Sequence, residues 1–313
     1  MTVDVVTIGE TMVMLVPREP VPLADATSLA VHVGGAESNV AIYLIELGHS
    51  ARWVSRLGDD PFGEMVLRQI GAAGVDISAV VRVPGRTGVY VKNPGAGQTT
   101  VHYYREGSPA AALGPDALDA EGRILHLSGI TAALSASARE LVRTAVRDRV
   151  PGRVVSFDVN YRPALWPVHE AAPVLAELAD ASDLVFVGFD EARLLWGCPT
   201  PAAVRDLLPH PETVVVKDGA VGAYAGDVFV PTPPVTVVEP VGAGDAFAAG
   251  YLAGVLEGLG DRERLRFGHL VAAAALSVRS DHGHLPARSW LCERIDLPDD
   301  EWARLDLTGS DRG

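Results

Sequence analysis

Two kinds of apolar segment alternate along this chain. Short β-branched runs at Val3–Ile8, Arg52–Arg56, Ile124–Leu127, Val154–Phe157, Leu184–Val187 and Thr213–Lys217 read as strands. Longer Ala/Leu-rich stretches between them have helical spacing. They predict helices over Asn39–Leu47, stopped by Gly48, over Phe62–Ala73, stopped by Gly74, and over Ser137–Arg149, closed by Pro151-Gly152. Two more follow, one from after Gly244 through Leu256 and one filling Leu265–Val278. Parallel strands joined by right-handed crossover helices give a doubly wound α/β fold, a three-layer α/β/α core around a mostly parallel sheet.

Two segments break the rhythm. Met12–Val33 and Arg86–Arg105 alternate apolar and polar residues between Pro and Gly and contain no helix-length run, so both read as antiparallel β. The economical arrangement is one small sheet serving as a lid over the ligand crevice. The chain then divides into a core of residues 1–11, 34–85 and 106–313 and a discontinuous β lid of residues 12–33 and 86–105. The acidic tail Asp296–Gly313 is weakly patterned and reads as a fraying helix fragment.

Composition narrows the function. The 313 residues are 48% hydrophobic, and 26 basic against 40 acidic side chains give a net charge of −14. Such a chain can build a large core, and its charge argues against tracking nucleic-acid phosphates. The longest apolar stretch, Val241 to Leu256, contains Asp245 and falls short of a membrane span. Met1–Glu10 has no basic leader region, and two cysteines make no disulfide framework, so a cytoplasmic protein is expected. Lys92 and Lys217 are the only lysines, and neither stands in a Walker P-loop or a protein-kinase motif set. There is no Gly-x-Ser-x-Gly elbow either.

The sharpest chemistry lies in Glu239-Pro240-Val241-Gly242-Ala243-Gly244-Asp245. Small residues before a helix let successive backbone N–H groups converge on one spot, where the helix dipole also favours negative charge. Asp245 would stand in the first turn beside that anion hole, placed to take a proton from an attacking hydroxyl. A glycine-rich turn capped by Asp would look the same. A second segment, Gly34-Gly35-Ala36-Glu37-Ser38-Asn39, again runs a Gly pair into a helix and clusters polar groups suited to the hydroxyls of a polyol.

In order and separation, these two segments resemble the paired signatures of the ribokinase/PfkB family of sugar kinases. The resemblance extends through Leu57-Gly58-Asp59-Asp60-Pro61-Phe62-Gly63, Gly74-Val75-Asp76 and Lys217-Asp218-Gly219-Ala220-Val221-Gly222-Ala223. Within the family, Tyr103-Tyr104-Arg105, Leu127-Ser128-Gly129-Ile130 and Asp158-Val159-Asn160-Tyr161-Arg162 look most like 2-keto-3-deoxygluconate kinases. The resemblance implies phosphorylation of that sugar acid at its primary hydroxyl to give 2-keto-3-deoxy-6-phosphogluconate. Its acceptor contacts would be Gly34 through Asn39, Tyr90, Tyr103, Arg105, Arg162 and Asp281, with Asp245 as base and Gly242, Ala243 and Gly244 as anion hole. Arginine suits a carboxylate independently, as a planar bidentate fork, and Tyr103 and Arg105 share one face of a strand.

For the nucleotide the resemblance implies Asn160, Arg162, Lys217, Gly219, Gly222, Ala223, Gly242, Gly244 and His269. ATP and Mg²⁺ are the implied cofactors, a monovalent cation is left open, and no nucleic acid or membrane partner is implied. Pairing of lids suggests a homodimer or larger homo-oligomer. Three positions depart from the family pattern. Glu239 stands where a shorter Asp is usual, and Gly188 where many members have Asn, leaving Glu191 alone to organise Mg²⁺ through water. His269 falls where an Asn often borders adenine. The alternatives are a fructokinase or another PfkB-type sugar kinase and, in a different class, a catalytically silent sugar-acid sensor.

Overall fold

A computed structural model describes residues 2–19, 21–94, 100–278, 280 and 282–308. Thirteen strands occur among them: β1 (Val3–Ile8), β2 (Met12–Pro17), β3 (Leu29–Gly34), β4 (Ala51–Gly58), β5 (Val80–Val83), β6 (Val89–Asn93), β7 (Thr100–Tyr104), β8 (Gly122–Ser128), β9 (Val154–Asp158), β10 (Leu184–Gly188), β11 (Thr213–Asp218), β12 (Gly222–Ala225) and β13 (Val228–Pro231). Nine of these make one sheet in the order β13-β12-β11-β10-β9-β8-β1-β4-β5. It is parallel from β5 to β11 and antiparallel only at the β11-β12-β13 edge. The layered α/β reading of the sequence therefore holds. The periodicity missed β5, β12 and β13, strands of four residues at or next to the sheet edges that are too short to show it.

Alternation along the central strands explains the two cores. Leu184 and Phe186 of β10 point into one apolar cluster, and Val185 and Val187 into the other. On β11, Val215 faces the first cluster while Val214 and Val216 face the second. A parallel strand buried on both faces can hold such a continuous β-branched run, and each buried Val, Leu or Phe contributes about 1.5–3 kcal/mol. Helices cover both faces. Those that matter for the site are α1 (Ala36–Glu46), α2 (Pro61–Ala72), α3 (Gly129–Leu134), α4 (Ala136–Arg147), α5 (Val168–Asp180), α6 (Phe189–Trp196), α7 (Pro201–Leu207), α8 (Ala243–Leu256) and α9 (Asp261–Leu276). The helix expected after Gly244 begins two residues earlier, at Ala243, because Gly242 at φ 89° makes the cap.

The remaining four strands form a separate sheet in the order β3-β2-β6-β7. Its strands come from both segments that interrupted the βα rhythm. It is not purely antiparallel, as the sequence reading had it: β2 pairs with β6 in parallel, through Val13 with Val89, Met14 with Tyr90 and Leu15 with Val91. β2 follows β1 and β6 follows β5, two parallel strands of the main sheet with β4 between them, so both excursions start from the same end of that sheet. Met12, Met14, Val16 and Tyr90 form the small apolar cluster of this sheet.

Candidate active site

The parallel strands all end on one side, and in open α/β sheets the crevice lies outside those carboxyl ends, where the strand order reverses. Here the order reverses at β1, which lies between β8 and β4. A cleft of about 980 Å³ opens there between the strand ends, the four-stranded sheet and the start of α8. Glu10 follows β1, Asp158 closes β9, Gly188 closes β10 and Lys217 lies at the end of β11; all four line the cleft.

Asp245 is the third residue of α8, and both of its carboxylate oxygens carry a side-chain amide. Asn39 Nδ2 donates to Oδ2 at 2.9 Å, and Asn160 Nδ2 donates to Oδ1 at 3.4 Å. The pair fixes the orientation of the carboxylate from two separate elements, α1 and the turn after β9. Asn160 adopts φ 37°, a left-handed conformation rare outside glycine, held in part by its own N–H donating to Asp158 Oδ1 at 3.2 Å. Gly242 to Gly244 curl against Asp245. The first amide with a helical acceptor is that of Ala246, which donates to Gly242 O at 3.0 Å; ahead of it Ala243 N turns back to Pro240 O at 3.4 Å, and Gly242 and Gly244 line the cleft.

Lys217 enters this group from below. Its ammonium lies 2.8 Å from Asp158 Oδ2, and a methyl group on Gly244 would come within 3.4 Å of it, so the charge sits under the anion nest. Burial alone would lower the Lys217 ammonium, but Asp158, then Glu191 and Asp245, carry it above its ordinary value. Glu191 spans two backbone donors, Tyr161 N to Oε1 and Gly188 N to Oε2, both at 2.9 Å. It caps α6 and ties that helix to the Asn160 turn. Burial first, and the neighbouring Asp158 second, raise its carboxyl despite Lys217.

The wall opposite is the small sheet. Tyr90 and Tyr103 stack obliquely with centroids 5.9 Å apart, and the Arg105 guanidinium stands 5.8 Å from the Tyr103 ring centre. All three line the cleft with Gly34, Gly35, Ala36 and Asn39. Gly35 must be glycine, since a Cβ there would fall 2.4 Å from the Glu10 carbonyl oxygen. Arg105 is ion-paired with Glu10, which Ser108 also contacts. Burial raises the Glu10 carboxyl above its ordinary value, with Arg105 pulling the other way. Arg162 is half-exposed at the rim, 3.8 Å from Glu191 Oε1.

Toward the β12-β13 hairpin the lining turns apolar: Ala223, Pro233, Val235, Val237, Ala272 and Leu276, with Gly219, Gly222 and His269 among them. His269 Nε2 donates to Val230 O at 3.2 Å, and its ring meets Phe247 edge-on. Burial drops its pKa to about 4, so it is neutral.

Two expected acceptor contacts do not reach the cleft. The Glu37 carboxylate is fully buried under α1, where Ser128 Oγ and Thr131 Oγ1 donate to Oε1 at 2.6 and 2.7 Å. Ser38 is also buried, accepting from Thr11 Oγ1 and donating to Gly35 O. On a helix, residues 36 and 39 share a face, while 37 and 38 turn inward toward the sheet. Asp281 lies outside the described residues. Sequence reasoning gave no role to Glu10 or Asp158. Their signal was present, since each stands at or just past the carboxyl end of a predicted strand.

The pfkB family carbohydrate kinase model matches residues 3–288. The chain belongs to this family. It is 35% identical over 309 residues, 93% of this chain and 95% of the relative, to the 2-dehydro-3-deoxygluconokinase of Bacillus subtilis (strain 168). Among solved structures it resembles a PfkB protein from Polaromonas sp. JS666, with TM-score 0.82, 36% identity and coverage of 93% of this chain and 99% of that one. It also resembles a Pyrococcus horikoshii sugar kinase solved in complex with ATP, with TM-score 0.76, 25% identity and coverage of 88% and 93%. As a PfkB carbohydrate kinase the chain is a phosphotransferase acting on an alcohol group. No helix among the described residues is long and apolar enough to cross a membrane.

Proposed function

We propose that this kinase transfers the γ-phosphoryl group of ATP to the primary hydroxyl of 2-keto-3-deoxygluconate. The observation that carries the reading is the Asp245 carboxylate, held by Asn39 and Asn160 beside the Gly242–Gly244 nest in a cleft that also receives Arg105 and Arg162. Asp245 takes the proton from the acceptor hydroxyl as its oxygen attacks phosphorus in line. The amides at the start of α8, its dipole and the Lys217 ammonium beneath them stabilise the negative charge spreading over the transferring group. Arg162 at the rim and the outer edge of Arg105 receive the acceptor carboxylate, with Tyr90 and Tyr103 packing along the carbon chain.

The apolar stretch near His269 takes the nucleotide base, and Gly219, Gly222 and Ala223 let the chain approach it closely. The residues present fit Mg²⁺ arriving with the phosphates. Asp158 and the amide-bonded Glu191 keep spare lone pairs on the cleft side, and no cluster of three metal-ligating side chains competes among the described residues. Held there through water by Asp158 and Glu191, the ion would neutralise the β- and γ-phosphates. A second copy of the chain covering Val31 and Tyr104 of the lid, 43% and 66% exposed, would complete a homodimer. Use of ATP and two unpaired cysteines fit a cytoplasmic enzyme.

A neutral sugar is the second reading, favoured by one observation: Glu10 already neutralises Arg105. A coupled ADP-release assay with 2-keto-3-deoxygluconate, its C4 epimer, fructose and ribose separates the two. Turnover highest on the keto-deoxy acids is expected. Equal or faster turnover of fructose or ribose would overturn the acid reading, and no ADP with any acceptor would leave a sensor.

A further inference from the structure

The two lysines of the chain meet the Glu239–Asp245 segment at different points, Lys217 beside Gly244 and Lys92 beside Glu239. Lys217 rises from the floor, whereas Lys92 descends from the lid sheet as the fourth residue of β6. Lys92 is 1% exposed, and its ammonium lies 3.7 Å from Glu239 Oε2. Glu239 is itself buried, and its other oxygen accepts the amide of Val241 at 3.3 Å, in the turn that becomes Gly242–Gly244. Tyr90 and Lys92 are two residues apart on one strand and share a face. One face of β6 therefore meets the acceptor space with Tyr90 and the acid leading into the nest with Lys92. Burying an ammonium is costly unless a carboxylate compensates it, and removing one member of such a pair leaves the other stranded.

We propose that Lys92 is a positioning residue for phosphoryl transfer. Its ammonium acts as a built-in monovalent cation that fixes Glu239, and through the Val241 amide the nest amides, to the strand carrying Tyr90. An alkali cation from solution then has no place to fill, so the wild-type rate is the same in potassium and in choline chloride. The inference rests on the kinase reading but not on which acceptor is used, so it is measured with whichever acceptor the wild type turns over fastest.

The test replaces Lys92 with Met. A misplaced anion hole costs rate more than affinity, so kcat falls about 10- to 100-fold while KM for acceptor and ATP stays within a few-fold. Ammonium or potassium chloride, small cations able to enter beside Glu239, restores much of kcat, and choline chloride does not. Glu239→Gln keeps the acceptor for Val241 and the side-chain size but loses the pair, so it is slow and unresponsive to added cation, and it serves if Lys92→Met does not fold. A wild-type kcat in either variant, a loss in Lys92→Met that no small cation relieves, or a wild type that itself requires potassium would overturn the proposal. A wild type inactive on every acceptor would instead sink the kinase reading.

Discussion

The floor and the lid of the cleft are built on different principles. On the floor nearly every polar group is held by another. Asn39 and Asn160 hold Asp245, Asp158 holds Lys217 and the Asn160 amide, and the amides of Tyr161 and Gly188 hold Glu191. These groups come from strand ends and helix starts inside a continuous core, so their geometry is fixed before any ligand arrives. The lid presents two tyrosines and an arginine on a four-stranded sheet with a small apolar cluster of its own, and Tyr103 there is 37% exposed. Under the proposed function the difference would separate reaction from specificity, the interlocked floor carrying the transfer and the tyrosines of the lid choosing the acceptor.

The strongest way to break that division is at its centre. Asp245→Asn removes the carboxylate proposed as the base yet leaves a polar group of the same size between Asn39 and Asn160. It should lower kcat by about 10²–10⁴, the usual contribution of general-base catalysis, with ATP affinity nearly unchanged. Stopped-time ADP release together with nucleotide titration checks this, and a near-normal rate would strip Asp245 of the role. At the rim of the cleft, Arg162→Ala should raise KM for sugar acids about 10- to 100-fold, as expected for losing a charged hydrogen bond, and leave neutral sugars unaffected. Arg105 needs the pair Arg105→Ala/Glu10→Gln, because the single change strands a buried carboxylate. If neutral sugars suffer equally, the two arginines are structural and the division fails.

A smaller effect is expected at Gly242, whose φ of 89° suits no side chain. Gly242→Ala should cost about 1–2 kcal/mol through the left-handed backbone, seen as a lower melting temperature and a kcat reduced by about tenfold. Retention of full kcat at the lowered melting temperature would show that the nest tolerates distortion.

How much of this was written in the sequence follows the same division. The floor was legible because backbone chemistry has a local signature: Gly242-Ala243-Gly244-Asp245 and Gly34-Gly35 before a helix declare themselves without knowledge of partners. The partners were less legible. Glu37 looked like a sugar ligand because it follows a glycine pair, and only the three-dimensional course of α1 shows that it turns toward Ser128 and Thr131. Glu10 lies 95 residues from Arg105 in sequence, and no spacing rule links them. The parallel β2-β6 pairing escaped notice for a similar reason, since alternation gives the face of a strand but not the direction of its neighbour.

The smallest effect concerns stability, and it tests whether the floor is as rigid as its bonds suggest. Burial lowers His126, His269 and His282 from 6.5 to about 4, so the folded protein prefers all three neutral. For a depressed histidine the stabilisation is complete above the unfolded value and is lost as pH falls from 6.5 toward 4, because only the unfolded chain takes up the proton easily. At pH 5.5 each histidine should cost about 1.4 kcal/mol, one pH unit below the unfolded pKa. His269→Gln, which keeps a donor for Val230 O without a titratable ring, should therefore shrink the drop in melting temperature between pH 7.5 and pH 5.5 by about a third of the three-histidine contribution, a few degrees at most. An unchanged drop would mean that the His269 site opens to let the proton in, and that the nucleotide end of the floor is looser than the end holding Asp245.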